Sequence, residues 1–188
     1  MNNPLLILGT LDRHLDHPVE LTLYGRAALA LGFPSPAPRH ETTQAVDAII
    51  PLAQLDQLRA DNQFWDARDA TNAELAESGL YLTHLFTETD VFLLPDWLNR
   101  RVPILGSFTH LQLYRPATLD LILTKMMRGA DPEDLSDIEF LLGHQPVTTA
   151  ELRTAFDRAR LPDIQELRDA FQAAQPHVLA LVKPPGHR

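Results

Sequence analysis

The sequence contains no cysteine, no long hydrophobic run and no excess of positive charge. Without cysteine the chain has no disulfide, no thiolate metal ligand and no cysteine nucleophile. The formal net charge of -9 at pH 7 argues against general DNA binding, because a negative surface repels the phosphate backbone. No apolar stretch approaches the roughly 20 residues that span a membrane, so we expect no membrane partner.

The start of the sequence shows no secretory signal. Residues 1–4 carry no basic side chain, and the apolar run Leu5 to Leu8 is too short for a secretory signal. We therefore expect a cytoplasmic protein. The tail at 184–188 contains two prolines and a glycine and is expected to fray.

Length and composition are those of one globular domain. The chain has 188 residues, of which 45% are hydrophobic and 22% charged, which suffices for a core without disulfides. We predict a single domain over 1–188, in which 1–115 form an α/β core and 116–183 form a helical C-terminal part of the same unit.

The first half of the chain alternates between helical and strand patterns. Helical spacing predicts a first helix over Pro4 to Leu15, and strict alternation predicts a strand over Val19 to Tyr24. A short Ala/Leu helix over Arg26 to Leu31 follows, then a proline-rich loop and a second strand over Ala45 to Ile50. Leu52 to Leu75 looks helical, with an interruption near 62–65.

The second half is mainly helical. Strands are predicted at Asp90 to Pro95 and Leu111 to Tyr114, and helices over 119–126 and from Pro162 to Ala174. Two helix starts are well specified: one has Asp131 as N-cap before Pro132, and the other pairs Thr148 with Glu151 in a capping box. The element order predicts an α/β (α+β) fold with a small mixed sheet and a helical C-terminal third.

The candidate functional residues lie in the segment from Gly25 to Asp47. A strand ends in Gly25, a short helix begins, and the next strand brings in a carboxylate. Backbone amides at a glycine turn and a helix start bind phosphate oxygens, and a carboxylate on the adjacent strand can hold the Mg²⁺ that bridges phosphates. Gly25 is equally explained as a plain turn residue.

This arrangement resembles the nucleotidyltransferase superfamily. The likeness is greatest to bacterial nucleotidyltransferase-like families of unknown function and to AbiEii-type abortive-infection toxins. Their pattern is a strand, Gly-Gly or Gly-Ser, an Ala/Leu-rich helix, and Arg-x-Thr-x-Asp-hydrophobic-Asp on the next strand. Gly25 matches the first glycine, Ala28-Leu29 the helix, Thr43 the threonine and Asp47 the second aspartate.

A second block carries the same resemblance. These families have a helix with Leu-x-x-x-Lys-Leu, then an arginine and an Asp-rich start to the next helix. Here Lys125 and Arg128 precede three acidic residues, namely Asp131, Asp134 and Asp137. The two blocks together span roughly residues 19 to 142, which is most of the chain.

The resemblance implies Mg²⁺-dependent transfer of a nucleotidyl group from an NTP to a hydroxyl of RNA or protein. Asp47 and Lys125 would be catalytic, with Asp47 holding the metal and Lys125 offsetting phosphate charge. The nucleotide would be bound by Gly25, Arg26, Thr43 and Arg128. The implied setting is a bacterial toxin–antitoxin or phage-defence system, in which a cognate antitoxin would be a partner.

Two departures from the pattern leave activity open. Arg26 stands where the family has Gly or Ser, and it either crowds the phosphate site or adds a cation to it. Ala45 stands where the first catalytic aspartate is expected, and a two-metal site needs bridging carboxylates. Carboxylates elsewhere can compensate, with Glu41, Asp90 and Asp96 as candidates. The alternative is a catalytically degenerate fold that acts as a nucleotide- or protein-binding regulatory module.

Structural interpretations stand beside these functional ones. Lys125 and Arg128 suit a solvated helix face, Asp131 and Asp134 suit capping, and Asp137 is expected to pair with Lys125 or Arg128. The cluster of Asp12, His14, Asp16 and His17 suits a solvated helix end better than a metal site. Trp97, next to Arg100 and Arg101, suits ordinary packing better than a binding edge for nucleotide or RNA.

Overall fold

A computed structural model describes residues 2–183, apart from the side chain of His84. The chain divides into two compact units. The sheet unit comprises Met1–Glu88 and Arg101–Pro116, and the helical unit comprises Thr89–Arg100 and Ala117–Arg188. Within 2–183, no helix is long and apolar enough to cross a bilayer. The expectation of a frayed tail at 184–188 lies outside the described residues.

The predicted class, a mixed α/β fold with a helical C-terminal region, is confirmed. The elements of the sheet unit are α1 (Asn3–His14), β1 (Val19–Tyr24), α2 (Gly25–Gly32), α3 (Pro38–Glu41), β2 (Ala45–Ile50), α4 (Leu52–Ala60), α5 (Asn62–Leu75), β3 (Tyr81–Thr87), β4 (Val102–Ile104) and β5 (Leu111–Arg115). The strands predicted at β1, β2 and β5 are confirmed, whereas β3 and β4 were not predicted. The helical stretch breaks at Asp61, one residue before the predicted interruption, because its side chain caps α5 at the N–H of Phe64.

The five strands form one mixed sheet in the order β3-β2-β1-β5-β4. The central strand β1 is antiparallel to β2 and parallel to β5. On one side β2 continues in parallel to β3, and on the other β5 pairs antiparallel with β4. The sheet therefore mixes both directions, as expected from the sequence.

The two faces of this sheet differ in polarity. On one face the buried apolar residues Val19 and Leu21 of β1 pair with Leu111 and Leu113 of β5, and α1 and α2 contact the strands. On the other face most of the paired side chains are polar: Glu20 with Gln112, Thr22 with Tyr114, and Tyr24 with Asp47, although Thr22 also pairs with the buried Ile49. Because directly paired residues project to the same side, Asp47 belongs to the polar face.

The helical unit contains α6 (Thr118–Lys125), α7 (Pro132–His144), α8 (Thr149–Arg158) and α9 (Gln165–Ala180). Both predicted helix starts are confirmed. The Asp131 carboxylate accepts the N–H groups of Glu133 and Asp134 at 3.0 Å, and Thr148 and Glu151 form a reciprocal capping box.

Two predictions in this unit were wrong. The segment Asp90 to Pro95 is not a strand; it forms only an isolated bridge between Leu93 and Arg160. Its apolar side chains are buried. A short hydrophobic run in the sequence therefore indicated burial, which a strand and an irregular segment can share. The last helix begins at Gln165 rather than Pro162 and continues through Pro176 to Ala180.

Candidate functional site

The candidate site begins at the turn from β1 into α2. Gly25 has a φ of +62°, a left-handed conformation that favours glycine. A Cβ atom built on Gly25 would lie 3.7 Å from Oδ2 of Asp47, whose backbone pairs with Tyr24. Tyr24, the N-cap residue of α2, makes no side-chain hydrogen bond to the helix. An amide-rich helix start and a carboxylate therefore lie side by side.

The Asp47 carboxylate is held from one side only. Thr83 of β3 donates its hydroxyl to Oδ1 of Asp47 and lies 3.2 Å from the carbonyl oxygen of Val46. Oδ2 accepts no hydrogen bond from the groups described in this structure. The half-buried carboxylate thus keeps one oxygen for a ligand on the side of the Gly25 turn.

Thr83 is the site residue that sequence reasoning missed. Thr83 is the third residue of β3 (Tyr81–Thr87), which pairs in parallel with β2, and this pairing is what would have pointed to Thr83. The register between the two strands shifts between Val46 and Ala48, so pairing places Thr83 beside Asp47 through an irregular stretch. Sequence periodicity alone gives no such neighbour.

The other residues assigned to the nucleotide in the sheet unit lie near this turn along the chain. Arg26 is half-buried in the first turn of α2. The hydroxyl of Thr43 lies 3.4 Å from the carbonyl oxygen of Ala45, just before β2. Ala45 stands two residues before Asp47 and on the same side of β2, where its methyl group offers no ligand.

The residues around this turn fit a magnesium ion in part. Mg²⁺ is commonly held by one or two carboxylates together with water and substrate phosphates. Asp47, with its uncommitted oxygen, fits one such contact. Across residues 2–183, apart from the His84 side chain, no three His, Asp or Glu residues are grouped to hold a metal. Of the candidate compensating carboxylates, Glu41 accepts from Asn2 at 3.4 Å, and Asp96 pairs with Arg100.

Lys125 and Arg128 belong to the helical unit, where carboxylates surround them. The Lys125 ammonium lies 3.1 Å from Asp134 and 2.7 Å from Asp137, and its side chain is 10% exposed. Arg128 Nε lies 2.7 Å from the second oxygen of Asp134. Asp137 therefore pairs with Lys125, the first of its two predicted partners. The Asp134 carboxylate forms ion pairs rather than a helix cap.

The acidic and histidine residues in and just after α1 form separate contacts. Asp12 is 8% exposed and accepts the backbone N–H groups of residues 109–111 at 2.8 Å, so it does not lie on a solvated face. His14 bonds to Glu74. His17 lies between Asp16 and Asp61, each at 2.8 Å.

The arginines that follow Trp97 also have structural roles. Trp97 is fully buried, which confirms its packing role. Arg100 lies 2.9 Å from the buried Asp120. Arg101 donates to Glu20 at 2.7 Å and to Thr22 at 2.9 Å, and its guanidinium stacks over Tyr114 at 4.5 Å on the polar face of the sheet.

No family model, no curated protein and no solved structure matches this chain. The functional assignment therefore rests on the resemblance in the motifs and on the geometry around Gly25 and Asp47.

Proposed function

We propose that this chain is a nucleotidyltransferase-like protein that binds the phosphates of an NTP at the Gly25 turn. The observation that carries the proposal is the uncommitted Oδ2 of Asp47, which faces a positive-φ glycine at the start of α2. Helix-start amides favour phosphate oxygens, and a carboxylate beside them suits a metal-bound phosphate rather than a bare one.

The reaction that this arrangement suits is nucleotidyl transfer. A hydroxyl oxygen of RNA or protein would attack the α-phosphorus, and the bond to the β-phosphate would break to release pyrophosphate. Bound Mg²⁺ would offset the negative charge of the phosphates. The backbone amides at the Gly25 turn would bind the phosphate chain, and Asp47 would hold the metal ion. As part of the proposal, the setting is toxin–antitoxin or phage defence, with a cognate antitoxin as partner.

A specific observation favours a second candidate, a catalytically degenerate nucleotide- or protein-binding module. Ala45 replaces the first aspartate of the motif, and the neighbour of Asp47 on β3 is the Thr83 hydroxyl. Neither side chain supplies the second carboxylate that would bridge two metals. Lys125 stays a predicted catalytic residue, although its two buried carboxylate partners favour a structural role.

Titration calorimetry with each NTP, with and without Mg²⁺, tests the binding proposal. We expect Mg²⁺-dependent binding that weakens about tenfold or more in Asp47→Asn, since a charged contact contributes about 1.5–3 kcal/mol. Asparagine keeps the acceptor for Thr83, so the fold is preserved. Asp56→Asn is the matched control, because Asp56 is exposed on α4. Absence of NTP binding, or equal effects of the two variants, contradicts the proposal.

Transfer of label separates the enzyme from the module. Wild type and Ala45→Asp are incubated with α-labelled NTP, Mg²⁺ and RNA or protein acceptors. Label transfer by wild type that Asp47→Asn abolishes supports the enzyme. NTP binding without label transfer by wild type supports the degenerate module. Label transfer by Ala45→Asp, or NTP binding by Ala45→Asp that depends more strongly on Mg²⁺, supports it further.

A further inference from the structure

A separate pocket of about 200 Å³ opens in the sheet unit at the far end of β1 from Gly25. It is lined by residues from the start of β1, from β5 and from α4. The side chains that matter chemically are Glu20, Gln54, Gln57, Leu58 and Gln112. This volume lies below the roughly 300–1,000 Å³ of sites for drug-sized ligands, so it suits a compact one.

The pocket carries hydrogen-bonding capacity that the described chain does not use. Oε1 of Glu20 accepts both Gln54, at 2.9 Å, and Arg101, at 2.7 Å, which fixes the carboxylate in place. Oε2 of Glu20 accepts no hydrogen bond from any group described in residues 2–183. The side-chain amides of Gln57 and Gln112 are likewise unengaged within that range. An immobilised, half-satisfied carboxylate therefore faces a cavity lined by amides.

The charge of the pocket favours a cation. Burial acts to raise the pKa of Glu20, but hydrogen bonds from Gln54 and Arg101 hold it below its usual value, so the carboxylate is ionised at neutral pH. The pKa of Asp61 is also held low, against the effect of burial, by hydrogen bonds from Phe64 and His17. Leu58 of α4 supplies apolar surface beside these acids.

We propose that this pocket binds a small alkylammonium group, with the ammonium at Oε2 of Glu20 and the alkyl chain against Leu58. An ammonium has three donors, which matches one charged and several amide oxygens. Two cations lie near this position: Arg101 pairs with Oε1 of Glu20, which leaves Oε2 for the ligand, and His17 lies between the carboxylates of Asp16 and Asp61.

Titration of the ¹⁵N-labelled full chain with n-butylamine, followed by NMR, tests the proposal. We expect saturable shifts at the side-chain amides of Gln57 and Gln112. n-Butanol, which has nearly the same shape without the charge, is expected to give none. Glu20→Gln is expected to weaken butylamine binding about tenfold, because a charge-assisted hydrogen bond becomes a neutral one. Gln112→Glu, at an exposed position, is expected to tighten it.

Glu139→Gln is the matched control, because it removes the same charge from an exposed position on α7. If it weakens binding as much as Glu20→Gln does, the effect is general electrostatics and the proposal is wrong. Equal binding of butanol, or absence of shifts at the pocket, also overturns it. NTP binding is expected to persist in Glu20→Gln, so this proposal and the nucleotide proposal fail independently.

The ammonium can belong to a free amine or to a lysine side chain of a partner protein. Nα-acetyl-lysine N-methylamide, titrated in parallel, distinguishes the two sources. Tighter binding of the blocked lysine than of n-butylamine assigns the pocket to a lysine of a partner. The reverse order assigns it to a free amine.

Discussion

Two glycines of the sheet unit make opposite demands on the backbone. Gly25 has a φ of +62°, whereas Gly9 lies inside α1, where a Cβ atom would meet no other atom within 4 Å. Alanine at 25 is therefore strained by about 1–2 kcal/mol, partly offset by the lower entropy of the unfolded chain. Alanine at 9 is expected to stabilise the helix by about 0.5–1 kcal/mol.

Urea denaturation of Gly25→Ala and Gly9→Ala measures this contrast. We expect the free energy of unfolding to fall in the first variant and to rise in the second. NTP binding is expected to weaken in Gly25→Ala only, because the new methyl group would stand 3.7 Å from Asp47 Oδ2. A Gly25→Ala protein with unchanged stability would show that this backbone conformation is not required.

At the same scale, the site shows how far individual residues are predictable. Gly25 and Asp47 are candidates from the sequence because glycine suits a phosphate-binding turn and a carboxylate on an apolar strand needs a partner, and the structure brings the two together. Thr83 is not found, because its contact with Asp47 depends on pairing across an irregular register between β2 and β3. Local sequence carries no information on that pairing.

Among the elements, α1 is joined to the start of β5 by a single carboxylate. Asp12 accepts the N–H groups of Thr109, His110 and Leu111, each at 2.8 Å. Burial acts to raise the pKa of Asp12, but these three donors hold it below the usual value. Asn at this position would turn an NH₂ group toward backbone donors.

We therefore expect Asp12→Asn to lower the free energy of unfolding by about 1.5–3 kcal/mol, the range for hydrogen bonds to a charged group. Chemical denaturation at pH 7 measures the change. Asp56→Asn, at an exposed position on α4, should change stability by less than about 0.5 kcal/mol. Similar effects of the two substitutions would refute a joining role for Asp12.

The contact between α6 and α7 depends on a buried ion pair. Lys125 is buried and lies between Asp134 and Asp137, of which Asp137 is fully buried. Removing the cation leaves buried carboxylates uncompensated, which costs about 3–5 kcal/mol. Lys125→Met is thus expected to destabilise strongly.

Arg128→Met tests whether burial is the reason. The Arg128 side chain is 58% exposed, so its pair with Asp134 is expected to contribute less than about 1 kcal/mol. Thermal and urea denaturation of both variants give the comparison. If both variants lose a similar amount of stability, burial does not explain the contribution of Lys125.

Elements with local signals were predicted well, and elements without them were not. The starts of α7 and α8 are encoded by capping residues within one turn of the helix, so Asp131 and Thr148 are visible in the sequence. The strands β3 and β4 lie at the two edges of the sheet, and β4 has only three residues. The apolar run 91–94 resembles a strand in the sequence because its side chains are buried, although it does not pair as a strand.

For the whole molecule, stability is coupled to pH through acids whose pKa values are shifted in opposite directions. Asp120 is fully buried, and burial raises its pKa to about 6 despite hydrogen bonding from Leu94 and the nearby Arg100. The pKa values of Asp12 and Asp61 are lowered instead. Asp120 and the two acids with lowered pKa values therefore change the free energy of unfolding in different pH ranges.

The sign for Asp120 follows from its raised pKa. Between about pH 3.8 and 6 the folded chain binds the proton more tightly than the unfolded chain, so its stability contribution decreases as pH rises. From pH 4.5 to 7 the loss is about 2 kcal/mol for these two pKa values. Asp120→Asn keeps an acceptor for the Leu94 N–H, so we expect it to remove this part of the pH dependence.

His17 is the control, because its window is different. Hydrogen bonds to Asp16 and Asp61 raise its pKa above 6.5, so its contribution is present below 6.5 and is lost as pH rises through the folded-state value. In urea denaturation from pH 4.5 to 8.5, His17→Gln should lower the stability below about pH 6.5 and remove the fall in stability above it. Asp120→Asn should flatten only the part below pH 7. If Asp120→Asn leaves the slope between pH 4.5 and 6 unchanged, Asp120 does not take up a proton in that range, and its charge is stabilised in the core by Arg100.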